Sequence, residues 1–137
     1  MHRASLGMQA LALKFDAILS SPYLRARQTA EIVAQTYKIK NKKIHITNNL
    51  LPPASIEELL REIFAMGGGP IKTVLFIGHE PHLTEMISCL LKCSKPLVID
   101  FKKGGLCCLS VRQSRSHPSA VLNWLLTPTQ LGLMTKY

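Results

Sequence analysis

The stretch KTVLFIGHEPHL, Lys72 to Leu83, decides how this chain is read. It is apolar without a break from Val74 to Ile77, stops at Gly78, and offers His79, followed by Glu80, Pro81 and His82. A short continuous apolar run is the pattern of a strand buried on both faces. Proline suits the opening turn of a helix, where its missing N–H costs no hydrogen bond. The segment therefore predicts a buried strand, a turn at Gly78–His79 and a helix opened by Pro81. Leu83, Met86, Ile87, Leu90 and Leu91 form the inner face of that helix. A strand whose C-terminal tip carries an imidazole places it where open α/β sheets collect their ligands. Taken alone, such a histidine is more often a hydrogen-bonded loop residue than a catalyst. The rest of the chain has to choose.

A second junction has the same form. FDAILS (Phe15–Ser20) reads as a strand, and SPYLRARQTAEIVAQTY (Ser21–Tyr37) turns helical. Ser21 suits the N-cap and Pro22 the first helical position. Ala30, Val33, Ala34 and Tyr37 recur at the spacing of one buried helix face. Arg25 then falls in the first helical turn. Each junction thus carries one polar group just past a strand end, and the two are expected to meet there. An arginine fork and an imidazole beside helix N-termini suit phosphate. By itself Arg25 is equally well an ordinary exposed helix residue.

The remaining segments complete an α/β pattern. KIHIT (Lys43–Thr47) alternates like an edge strand. PPASIEELLREIF (Pro52–Phe64) is a helix whose Ser55 and Glu58 fit a capping box. Ile56, Leu59, Leu60, Ile63 and Phe64 form its apolar stripe, and MGGGP (Met66–Pro70) ends it. In the last third PLVIDF (Pro96–Phe101), LCCLSV (Leu106–Val111) and VLNWLL (Val121–Leu126) read as short strands of a meander or hairpin region. Residues 1–137 are expected to form one α/β domain with a mixed sheet flanked by helices.

Composition narrows the partners. A hydrophobic fraction of 47% over 137 residues supports a packed core. No apolar run approaches the roughly 20 residues of a membrane span. MHRASLGMQALALKF lacks the continuous apolar region and cleavage site of a signal peptide, so a cytoplasmic location is expected. Cys89, Cys93, Cys107 and Cys108 form no C-x-x-C pair and read as buried free thiols. The formal charge of +9, with runs KIKNKK and FKKGG, favours anionic partners. Aromatic residues are only 6% and do not interleave with arginine, which gives a nucleic-acid module little support. His82 reads as a surface or supporting residue, and His45 and His117 are given no role.

SSPYLRARQTAEI (Ser20–Ile32) closely resembles the S-P-x-x-R-A-x-Q-T segment of the histidine phosphatase superfamily, also called phosphoglycerate mutase-like. VLFIGHEPHLTEMI (Val74–Ile87) resembles the second histidine segment of that family, a strand followed by G-H-x-P. The tail, with FKKGGLCCLSV and AVLNWLLTPTQL, is similar to the short bacterial branch of phosphohistidine phosphatases, the SixA type. The likeness runs from about Gly7 to Leu131. It implies a three-layer mixed sheet flanked by helices, and a reaction that needs neither metal nor cofactor. It makes Arg25 a phosphate-pocket arginine and His79 the histidine that contacts the phosphoryl group and stabilises its charge. The implied substrate is phosphohistidine on a signalling or phosphotransfer protein, or a small phosphorylated compound. Another histidine attacks phosphorus, and water hydrolyses the phosphohistidine intermediate.

The chain departs from the family at its start. The family nucleophile lies in an R-H-G motif ending the first strand, followed by an L-T-x-x-G-x-x-Q-A segment. In MHRASLGMQALAL, Gly7, Gln9 and Ala10 resemble that later segment, one residue short. No Arg-His-Gly occurs in the 137 residues, and His2–Arg3 has the reversed order. The expectation is an N-terminally truncated domain without its first strand, prone to self-association through uncovered sheet edges. The alternative is a non-catalytic phosphate- or phosphoprotein-binding domain. Glu57 and Glu80 are positional candidates for a general acid. Glu57 is better explained by a helix start, Glu80 as a neighbour of His79, and an imidazole leaving group needs little proton help.

Overall fold

Ala17, Ile18, Leu19 and Ser20 are all buried, and they form β1 (Ala17–Ser20), the central strand of a parallel sheet. The computed structural model describes residues 1–66, 71–112 and 119–136. β2 (Ile44–Ile46) pairs with one edge of β1 and β3 (Val74–Ile77) with the other, both parallel. Their registers set Ile46 beside Ser20 and Ser20 beside Ile77, so the strands end together. Asp16 sets this alignment. Its Oδ2 accepts the Lys72 N–H at 2.8 Å and the Thr73 N–H at 2.9 Å, just before β3 begins. Those two backbone donors hold the Asp16 carboxyl below the usual carboxylate range.

Helices cover both faces, as alternation along the strands requires. Ile18 and Leu75 face α1 (His2–Ala10), α2 (Leu24–Tyr37) and α5 (Pro128–Leu133), packing with Ala4, Met8, Ala30, Val33, Ala34 and Leu131. Leu19, Val74 and Phe76 face α3 (Ile56–Met66) and α4 (His82–Leu90), packing with Leu59, Met86 and Leu90. β4 (Leu106–Arg112) and β5 (Ser119–Leu126) form an antiparallel pair with an irregularity between Cys108 and Leu109. Leu106 and Leu126 join the first cluster, Leu109 and Ala120 the second. The expected three-layer α/β arrangement with a mixed set of strands is therefore present, its strands divided between a three-stranded and a two-stranded sheet.

Several local expectations change. Among the described residues β3 pairs with a strand on one edge only, and of its residues Leu75 alone is fully buried. Its continuous apolar run matches the helices that pack on both faces. PLVIDF is not a strand. Val98 is fully exposed, and the surface pair Lys102–Asp100 lies close behind it. Apolar residues without a partner strand to cover them do not make one. Cys89 and Cys93 are exposed and Cys107 and Cys108 half-buried, all free, so the expectation of buried thiols fails for the first pair. The α3 capping box is half made: Ser55 Oγ accepts the Glu58 N–H at 3.4 Å. α5 carries a complete one between Thr127 and Gln130, with Pro128 in its first turn. His117 and the Gly67–Pro70 part of the expected helix stop lie outside the described residues. Among the described residues no helix is long and apolar enough to cross a membrane.

Candidate functional site

Because β1 and β3 end in register, the two sequence motifs leave the sheet side by side. The Ser21 N–H donates to Ile77 O at 3.0 Å, tying the first residue past β1 to the last of β3. Gly78 makes the turn above two leucines. A methyl there would lie 3.1 Å from Leu83 Cδ2 and 3.4 Å from Leu50 Cδ2. The next residue, His79, turns back onto the first motif. Its Nε2 lies 2.6 Å from Ser21 Oγ, and its ring sits 4.9 Å from that of Tyr23, tilted by 50°.

This contact explains why Ser21 is not the expected N-cap. α2 begins at Leu24 with Tyr23 in the cap position and no side-chain cap. Ser21 Oγ accepts the Tyr23 N–H at 3.2 Å, which shapes the turn and leaves the hydroxyl facing His79. Arg25 is exposed in the first turn of α2, at the same end of the sheet. Among the described residues its guanidinium makes no hydrogen bond or ion pair, and its carbonyl accepts from Thr29 Oγ1. Ser21 and Tyr23 are the contacts of His79 that sequence reasoning missed. The serine of the S-P-x-x-R-A pattern was visible, but a helix cap accounted for it.

The second motif is anchored from below. Glu80 accepts the Thr84 N–H at 3.0 Å and the Thr84 hydroxyl at 2.5 Å, so its carboxylate fastens the first turn of α4. Glu57 is exposed in the first turn of α3, where a carboxylate complements the helix dipole. Each carboxylate is accounted for by the start of its helix. His82 is not a surface residue: it is only 1% exposed, and its Nε2 lies 2.9 Å from the Asn49 carbonyl, to which it donates. Its Nδ1 is buried without a partner among the described residues. Asn49 is held in turn by Glu62, whose Oε2 accepts Asn49 Nδ2 at 2.7 Å and Thr47 Oγ1 at 2.6 Å. A polar chain from α3 through His82 thus supports the turn that carries His79.

Burial, and secondly the neighbouring His82, hold the His79 imidazole below its ordinary value, so the ring is neutral at pH 7. The unfolded chain then binds the His79 proton more readily than the folded one. Stability should therefore rise with pH from His79's depressed value up to about 6.5, and the acid penalty should be fully present below that window. Urea unfolding between pH 5 and 7 checks this. His79→Gln should flatten the slope across the window, and an unchanged slope would show that His79 does not create it. The lysine run lies elsewhere. Lys38, Lys40, Lys42 and Lys43 line a shallow concavity ahead of the N-terminal end of β2, away from the strand ends that carry Ser21 and His79. Among the described residues no group of three or more His, Cys, Asp or Glu side chains is arranged to hold a metal ion.

Residues 2–51 match the family model of the histidine phosphatase superfamily, branch 1. An uncharacterized protein of Picosynechococcus sp. (strain ATCC 27264 / PCC 7002 / PR-6) is 30% identical over 126 residues, covering 90% of this chain and 75% of the relative. Among solved structures, the protein histidine phosphatase SixA complexed with tungstate superposes with a TM-score of 0.78 at 22% identity, over 95% of this chain and 80% of that one. A candidate phosphohistidine phosphatase SixA from Agrobacterium tumefaciens gives 0.67 at 21% identity, over 93% and 77% of the two chains. The structural likenesses establish a shared fold.

Proposed function

We propose, from the premise that this chain belongs to the histidine phosphatase superfamily, that residues 1–137 are one SixA-like domain built to handle the phosphoryl group of phosphohistidine. Membership rests on the family match over residues 2–51, and the solved SixA structures share the fold. The observation that carries the functional reading is the 2.6 Å contact between Ser21 of the first motif and His79 of the second. It holds a neutral imidazole beside the helix turn that bears Arg25, past the ends of two adjacent parallel strands.

In this reading Arg25 supplies a two-pronged fork to the non-bridging oxygens, and His79 donates to another oxygen. The phosphoryl group moves from a substrate histidine to an enzyme histidine, then to water. The P–N bond breaks as the new one forms, and the leaving imidazole takes up a proton. The attacking histidine belongs to the family's Arg-His-Gly segment. The substrate is a phosphohistidine-bearing signalling or phosphotransfer protein, or a small phosphoramidate. The solved neighbour that binds tungstate, a tetrahedral oxyanion, supports an anion pocket of this kind. A second reading, a phosphate- or phosphoprotein-binding domain without turnover, is favoured by the lack of Arg-His-Gly within the 137 residues.

Both readings place Arg25 on the anion. Tungstate titration should show Arg25→Ala weakened by roughly tenfold or more, as expected for losing a charge-assisted pair. Arg25→Lys should also bind less tightly, because lysine keeps the charge but loses the fork. Wild-type affinity in both variants would remove Arg25 from the site.

A further inference from the structure

We infer that Ser21 is a positioning residue: its hydroxyl donates to His79 Nε2, fixes the ring as the Nδ1–H tautomer, and leaves Nδ1–H as the donor offered to a phosphoryl oxygen. Only the last clause rests on the proposed function; the tautomer follows from counting protons in the contact itself.

Ser21 is 0% exposed, so its hydroxyl proton must find an acceptor inside the protein. Its oxygen already accepts the Tyr23 N–H at 3.2 Å. Among the described residues the one acceptor within reach of that proton is His79 Nε2, at 2.6 Å. If Nε2 carried a proton instead, two N–H groups would converge on Ser21 Oγ, and the serine proton would be buried without a partner. The arrangement that satisfies every group has a bare Nε2 and a protonated Nδ1. Burial and the neighbouring His82 keep the ring neutral, so one nitrogen can stay bare. The tilted Tyr23 ring, 4.9 Å away, and the serine bond together restrain rotation of the imidazole. His79 is thus a donor with one defined direction.

Long-range proton–nitrogen NMR of the ¹⁵N-labelled chain at pH 7.5 reads the tautomer directly. Wild-type His79 should show an unprotonated Nε2 and a protonated Nδ1. Ser21→Ala should shift the population toward Nε2–H, and Ser21→Thr, which keeps the hydroxyl, should move it back. Tungstate affinity should fall about tenfold in Ser21→Ala and recover in Ser21→Thr, the size expected for one well-aligned hydrogen bond. A protonated Nε2 in the wild type overturns the inference even if no variant folds. So does a folded Ser21→Ala that keeps the wild-type tautomer. Wild-type protein with the Nδ1–H tautomer but no affinity for tungstate supports the serine's part and overturns the phosphoryl reading, so the two failures are separable.

Discussion

Gly7→Ala should cost the fold about 3 kcal/mol, although alanine is the better helix former. α1 and α5 approach so closely at Gly7 that an added methyl would overlap the backbone carbonyl of Leu131. Leu131 is itself fully buried, and Ala4 and Met8, the neighbours of Gly7 on α1, are buried in the same cluster. Backbone cannot step aside as a side chain can, so the helices must separate and open the layer that packs on Ile18 and Leu75. Helix propensity opposes this, favouring alanine over glycine by about 1 kcal/mol. Steric overlap should win, and the opposed signs make the test sharp. Urea midpoints of wild type and Gly7→Ala decide it, with the exposed Leu6→Ala as a control expected within about 0.5 kcal/mol of wild type. A midpoint for Gly7→Ala at or above that of the wild type would mean that α1 and α5 are not so closely packed.

The glycine also shows how far a sequence can be read. Its place in a G-x-x-Q-A-like segment was visible; the carbonyl that excludes a side chain there belongs to Leu131, far along the chain. The elements that were legible had a local cause. α2, α3 and α4 each carry one apolar stripe, and β1 and β3 are apolar on both faces because helices cover both. What stayed hidden depends on which segments meet. PLVIDF has the composition of a strand but no partner among the described residues, and β3 has an inner strand's sequence at a sheet edge.

The site divides in the same way. The placement of Arg25 and His79 was legible because each follows a strand end and lies at a helix start. Their common end of the sheet follows from the Ala17–Val74 register, which Asp16 enforces across a separation of 56 residues to Lys72. The Ser21–His79 bond joins residues 58 apart, and no local pattern encodes it. A hydroxyl before proline looks the same whether it caps a helix or holds a histidine. Of the two readings open for His82, surface or supporting, the structure favours the second, and a histidine at the start of a helix gives no sign in sequence that Asn49 O waits beneath it.

No turnover of phosphohistidine is expected from residues 1–137 by themselves, and substantial turnover is expected once a strand ending in Arg-His-Gly is joined ahead of them. The places of the available imidazoles lead to this expectation. His79 Nε2 is engaged by Ser21 at 2.6 Å, and in the proposed mechanism its other nitrogen faces a non-bridging oxygen, not the line of attack. His82 is buried, its Nε2 committed to Asn49 O. His45 is exposed on β2 beside Leu19 of β1, and His2 opens α1 on the surface. Among the described residues none is both free and at the ends of β1 and β3. An added Arg-His-Gly histidine would supply the covalent step, and Arg25 and His79 would then stabilise the charge in transfer. In the joined protein His79→Ala should lower kcat by roughly 10²–10³, the usual effect of removing one preorganised donor. The assay is release of phosphate from a phosphohistidine protein or a small phosphoramidate, with trapping of the phosphorylated enzyme. Rapid turnover by the 137-residue chain would identify a different nucleophile. A joined protein that binds tungstate through Arg25 yet neither turns over nor becomes phosphorylated would leave the binding domain as the correct reading.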